Sequence, residues 1–109
     1  MHIFHIALAA DWEHALAAGE YTVSTLGRTL AEEGFVHMSY ADQWPGVLAA
    51  FYRDVPGPLV LLEVDPDRVG ARVVVEPPPG APAGTEALPH VYGPLPVAAV
   101  VAVHPDPRG

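Results

Sequence analysis

The 109-residue chain has no cysteine. This excludes disulfide frameworks, thiolate zinc sites and cysteine nucleophiles. It also has no lysine: all five basic residues are arginines, set against thirteen acidic residues, for a net charge of -8. Without lysine there is no Schiff-base chemistry and no P-loop. An acidic chain without a basic patch is a poor match for nucleic acid or an anionic membrane surface. The apolar runs are strand-length and are cut by proline or charge, so no membrane-spanning helix is expected. The amino-terminal Met1-His2-Ile3-Phe4 lacks a basic leader region, and a cytoplasmic location is expected. No glycine-rich phosphate loop, nucleophile elbow or paired-aspartate metal motif is present, which argues against the common NTPase, kinase and hydrolase classes.

What remains is half apolar and rich in Pro, Gly, Ala and Val. That length and composition fit one globular domain, expected over residues 1–104, followed by a frayed tail over 105–109. A first strand is expected over Met1–Ala7. Asp11 is placed to cap a helix running to about Ala18, with Trp12, Ala15 and Leu16 on its apolar side and Gly19 ending it. Glu20–Val23 reads as a short strand. Ser24–Glu33 is ambiguous, with Ser24 or Thr25 as cap of a short helix. Ala41–Tyr52 is expected to be a second helix, starting near Gln43 or Trp44 so that Pro45 falls in its first turn. Leu59–Val64, Arg72–Glu76 and Val97–His104 read as strands, and Pro66–Gly70 as a turn. Residues 77–87 form a Pro/Gly-rich loop, either a functional lid or a biased insertion. Two main helices among five or six strands imply an α+β fold with a curved or split mixed sheet.

Two stretches carry polar groups on strand-like chain. In Gly34-Phe35-Val36-His37-Met38-Ser39, the residues Phe35, His37 and Ser39 share one face. His37 is either a core histidine held by a backbone carbonyl or a general base in a pocket. In Pro89-His90-Val91-Tyr92-Gly93-Pro94, prolines restrict the chain around His90 and Tyr92, which then make either a ligand wall or a tight turn. Glu76 shares a strand face with Val74, immediately before three prolines. Trp44 is expected at a pocket edge. Six histidines are present, but with no HxH or HxxxH pair and no carboxylate at motif spacing, so no metal site is expected.

The runs Ile3-Phe4-His5-Ile6, Trp12 with Ala15 to Tyr21, Gly34 to Ser39, Pro45-Gly46-Val47, Leu61 to Asp65, Glu76-Pro77 and Pro89 to Leu95 together resemble the small bacterial domain-of-unknown-function 952 family. The resemblance implies a fold similar to ADP-ribosyltransferases and RNA 2′-phosphotransferases. It implies a ligand cleft with His5, Ser39 and Tyr92 binding and His37, Glu76 and His90 catalytic; Trp44, from its place near a helix start, joins the binding residues at the edge. NAD, or another ribosyl-phosphate compound, would then be the substrate, with no separate cofactor required. Two alternatives stand beside it: a cofactor-independent acid/base enzyme on a small metabolite, and a non-catalytic module binding a small-molecule ligand.

Overall fold

A computed structural model describes all of residues 1–109. The chain folds as one α+β domain. Strand β1 (Ile3–Leu8) leads into helix α1 (Ala9–Ala18), and short strands β2 (Glu20–Tyr21), β3 (Val23–Thr25) and β4 (Arg28–Thr29) follow. Helix α2 (Leu30–Glu33), strand β5 (Val36–His37) and helix α3 (Trp44–Val47) come next, and α3 runs on into a π-helical turn at Leu48–Tyr52. The second half holds β6 (Leu59–Val64), β7 (Arg72–Glu76), β8 (Leu88–Tyr92), β9 (Leu95–Pro96) and β10 (Val100–His104). The sheet is split rather than mixed. Two three-stranded sheets, β1-β6-β10 and β5-β8-β7, and two ribbons, β2-β9 and β3-β4, are all antiparallel.

Strand β6 is continuously apolar from Leu59 to Leu62 because both of its faces are covered there. Leu62 and Val64, with Ile3 and Ala7 of β1, face a core shared with Trp12, Ala15, Tyr21, Val36, Met38 and Val91. Leu59 and Leu61, with Ile6, face the other way and are covered by Trp44, Val47, Leu48 and Tyr52. This central sheet therefore holds helix α1 and the β5-β8-β7 sheet on one side and the α3 helix on the other. No helix is long and apolar enough to cross a membrane.

Several local expectations are corrected. Helix α1 starts at Ala9, with Leu8 in the N-cap position and no side-chain cap; Asp11 sits in its first turn, where a carboxylate meets the positive end of the helix. The ambiguous stretch resolves into β3, β4 and α2, capped by Thr29 rather than Ser24 or Thr25. The Thr29 hydroxyl accepts from Glu32 N–H, and the Glu32 carboxylate accepts from Thr29 N–H. Gly34 ends α2 with φ +88°, a left-handed cap that disfavours any side chain. Gly93 has another reason to be glycine: a Cβ there would stand 2.8 Å from Ala71 Cβ.

The tail is not frayed. The Asp106 carboxylate accepts from Leu59 N–H, and Arg108 donates to the carbonyls of Val55 (2.7 Å) and Gly57 (2.8 Å) and to Asp106 (2.8 Å). Arg108 thus ties down the turn that follows the π-helical segment, by charge-assisted hydrogen bonds. Its hydrogen bonds, with the others it accepts, hold the Asp106 carboxyl far below the usual carboxylate range. Arg108→Ala is expected to lower the melting temperature by a few degrees in a thermal-shift assay at neutral pH; an unchanged melting curve would show that the tail is not a structural clasp.

Candidate functional site

The β5-β8-β7 sheet brings the two polar stretches together. Central strand β8 pairs His90 with His37 on one side and with Val74 on the other. Glu76, two residues from Val74, projects from the same face. The result is one hydrogen-bonded line. Tyr92 donates its hydroxyl proton to Glu76 Oε2. The same carboxylate oxygen accepts from His90 Nδ1 at 2.8 Å. His90 Nε2 lies 3.2 Å from His37 Nδ1. The His90 ring is fully buried and stacked on Phe35, with centroids 4.0 Å apart and planes at 15°. Arg72 lies over the Tyr92 ring, 5.4 Å from its centroid.

The line has a direction. Hydrogen bonds from Tyr92, and then His90, hold the Glu76 carboxyl below its ordinary pKa, so it is ionised and can only accept. His90 Nδ1 therefore carries a proton, and when that is the only proton on the ring, Nε2 is an acceptor. His37 must then donate from Nδ1, which leaves its Nε2 with a free lone pair and no protein partner. Burial, and then the neighbouring His90, push His37 down to about 4, so the ring is neutral at physiological pH.

His37 lines a pocket of about 290 Å³. Its polar wall is made by Ser24, Thr25, Glu33, His37 and Tyr52, and its apolar wall by Phe35, Val47, Phe51, Pro78, Pro79 and Leu88. The 77–87 loop supplies the two prolines and is folded into turns, with Ala81 N–H donating to Pro78 and Thr85 N–H to Pro82. The π-helical turn supplies Phe51 and Tyr52; such turns recur at functional sites because they displace side chains from regular helical positions. Ser24 is fully buried, and its hydroxyl has no hydrogen-bond partner.

Of the residues singled out from sequence, His37, Glu76, His90 and Tyr92 form the line, but only His37 reaches the pocket. The other three connect to the pocket only by way of the hydrogen bond between His90 and His37. His5 is not a wall of the pocket. It is buried in the core, where Nδ1 donates to the His37 carbonyl (2.5 Å) and Nε2 accepts from Tyr21 (2.9 Å). Its ligand is thus the backbone of His37, and burial lowers its pKa to about 4. Ser39 is buried where its backbone bridges to Phe4, away from the pocket lining. Trp44 packs against the Ile6, Tyr52, Leu59 and Leu61 cluster instead of edging the pocket. Ser24, Thr25, Glu33, Phe51 and Tyr52 were not anticipated as pocket residues. They come from three separate elements, and no local pattern joins them.

The profile of the domain-of-unknown-function 952 family, described as a protein of unknown function, matches residues 6–103. The chain belongs to this family. The family match takes in every residue of the Tyr92–Glu76–His90–His37 line and the whole pocket lining. Protein CC0527 from Caulobacter crescentus shares the fold. Its crystal structure superposes with a TM-score of 0.77 at 28% identity, covering 96% of this chain and 85% of that one. Its solution structure gives 0.73 at 29% identity, with 94% and 81% covered. Among curated proteins none matches the chain. The DUF952 assignment therefore supports the family expected from the sequence motifs, while the likeness to ADP-ribosyltransferases finds no support among these structures.

Proposed function

We propose that the pocket binds a small molecule and that His37 Nε2 takes a proton from it, with His90 and Glu76 as positioning residues. The observation that carries this reading is the one-way hydrogen-bond line from an ionised carboxylate, through a buried imidazole, to a neutral imidazole on the pocket wall. A carboxylate behind a histidine fixes its tautomer and steadies the positive charge that develops when the base accepts a proton. Here two histidines stand in series, so the stabilising charge sits one ring further from the substrate.

The narrower reading, chemistry on NAD or another ribosyl-phosphate compound, is supported by the family motifs and by a glutamate in the polar line. Pocket size and charge favour the smaller substrate. A volume of about 290 Å³ lies at the low end for ligand sites, and no lining residue is a cation to meet a pyrophosphate. The non-catalytic module would keep the pocket and need no directed proton line.

The test is turnover. Incubation with a small-metabolite mixture, read by mass spectrometry, is expected to show conversion of at least one compound. His37→Ala should slow that conversion by about 10²–10⁴-fold, the usual range for a general base. Equal conversion by His37→Ala would remove the catalytic reading. NAD, ADP-ribose and nicotinamide belong in the same series as thermal-shift ligands; stabilisation at millimolar concentration would favour the ribosyl reading.

A further inference from the structure

We infer that the pocket selects a non-anionic ring compound bearing a hydrogen-bond donor, and that the Ser24 hydroxyl anchors it. This rests on the proposed reading of His37 as the proton acceptor in the pocket and adds the ligand class.

The argument starts from Ser24. A fully buried hydroxyl without a partner costs the fold a desolvation penalty that nothing within the protein offsets. Ser24 lines the pocket, so a bound molecule is the group placed to satisfy it. The other polar groups decide what that molecule must offer. His37 Nε2 is an acceptor, as fixed by the Glu76–His90 line. Glu33 presents a carboxylate, one oxygen of which is ion-paired with Arg28 at 2.8 Å while the other has no partner. Two acceptors of this kind call for O–H or N–H donors on the ligand. A carboxylate or phosphate would meet the Glu33 carboxylate and find no cation among the lining residues to bind it, Arg28 being already paired with Glu33.

The apolar part is equally specific. Phe51 lines the pocket while 70% exposed, an aromatic face left in water at the mouth of a cavity. Phe35 forms the inner aromatic wall and also packs on the His90 and Tyr92 rings. A flat ring between such walls gains stacking as well as area burial.

The test uses three probes with one ring and different charge: benzyl alcohol, benzylamine and benzoate. Each is titrated into the ¹⁵N-labelled full chain and followed by amide shifts. Benzyl alcohol and benzylamine are expected to shift Ser24, His37 and Phe51 saturably, with benzoate at least about tenfold weaker. Ser24→Ala should weaken benzyl alcohol about fivefold, the usual effect of one lost hydrogen bond. The same substitution should raise the melting temperature of the free protein by a few degrees, because it removes an unsatisfied buried group. A merely structural serine would give the opposite sign. Benzoate binding as tightly as benzylamine, or none of the three binding, overturns the ligand class. Unchanged affinity in Ser24→Ala with a lower melting temperature overturns the anchor. Side-chain ¹⁵N spectra of the same samples report the His37 tautomer independently, so a protonated Nε2 would sink the base reading without touching the selectivity result.

Discussion

Acidification from about pH 7 to pH 4 is expected to cost the fold about 3 kcal/mol through His5 alone. Folded His5 is buried and takes up a proton only near 4, against 6.5 for the free side chain. Between those values the unfolded chain binds a proton that the folded chain refuses. Stability therefore falls as pH falls, and the contribution is fully present above about 6.5. The dominant cause is desolvation; the hydrogen bond to the His37 carbonyl works the other way and limits the shift. His37 adds a loss of the same sign, reduced because its ring is partly open to solvent. Asp106, with its depressed pKa, loses its stabilising charge only at lower pH. Urea unfolding at half-unit steps from pH 7 to 4, with the His5 ring signals followed alongside, measures the effect. A flat stability profile with His5 titrating near 6.5 would show that the ring is not held neutral by the core. The local consequence falls on the other nitrogen: protonated Nε2 can no longer accept from the Tyr21 hydroxyl, while Nδ1 still donates to the His37 carbonyl.

The strands were legible where the pattern was local. Leu59–Val64 and Arg72–Glu76 end where the apolar runs end, because burial of both faces or one face sets the run directly. The Thr29–Glu32 capping box was also present in the sequence as a Thr followed three residues later by Glu. It stands outside any longer helical pattern, because the short strands before α2 carry no periodicity of their own. Alternation put His37 on the Phe35 face and Glu76 on the Val74 face, and both placements hold. Which strands then pair, and in what register, depends on contacts more than fifty residues apart, such as His37 with His90. Local pattern cannot carry that. It also could not separate His5 from His37: both are histidines on apolar strands, and only the tertiary packing makes one a core group and the other a pocket wall.

Glu76→Gln is expected to abolish the base at His37 while leaving the fold in place. The substituted side chain has nearly the same shape, but Tyr92 and His90 both meet the single position of Oε2. With the amide nitrogen in that position it donates to both, the Tyr92 hydroxyl turns to accept, and donation to His90 Nδ1 moves the His90 proton to Nε2. That N–H then points at His37 Nδ1, which must become the acceptor, and the His37 proton shifts to Nε2. The pocket-facing nitrogen changes from acceptor to donor through two rings, with no atom near the ligand replaced. Turnover of any converted metabolite should fall by about 10²–10⁴-fold, comparable with His37→Ala. The melting temperature should change far less than for a core truncation, since the Glu76 side chain is partly exposed at the end of β7. Long-range ¹H–¹⁵N spectra of the histidine rings read the switch directly: protonated Nδ1 on His90 and His37 in the wild type, protonated Nε2 on both in the variant. The pair of readouts separates positioning from structure. Retained turnover with the wild-type tautomers would show that the carboxylate does not set the direction of the line. Lost turnover with wild-type tautomers would place the Glu76 charge itself, and not the tautomer it enforces, behind the reactivity of His37.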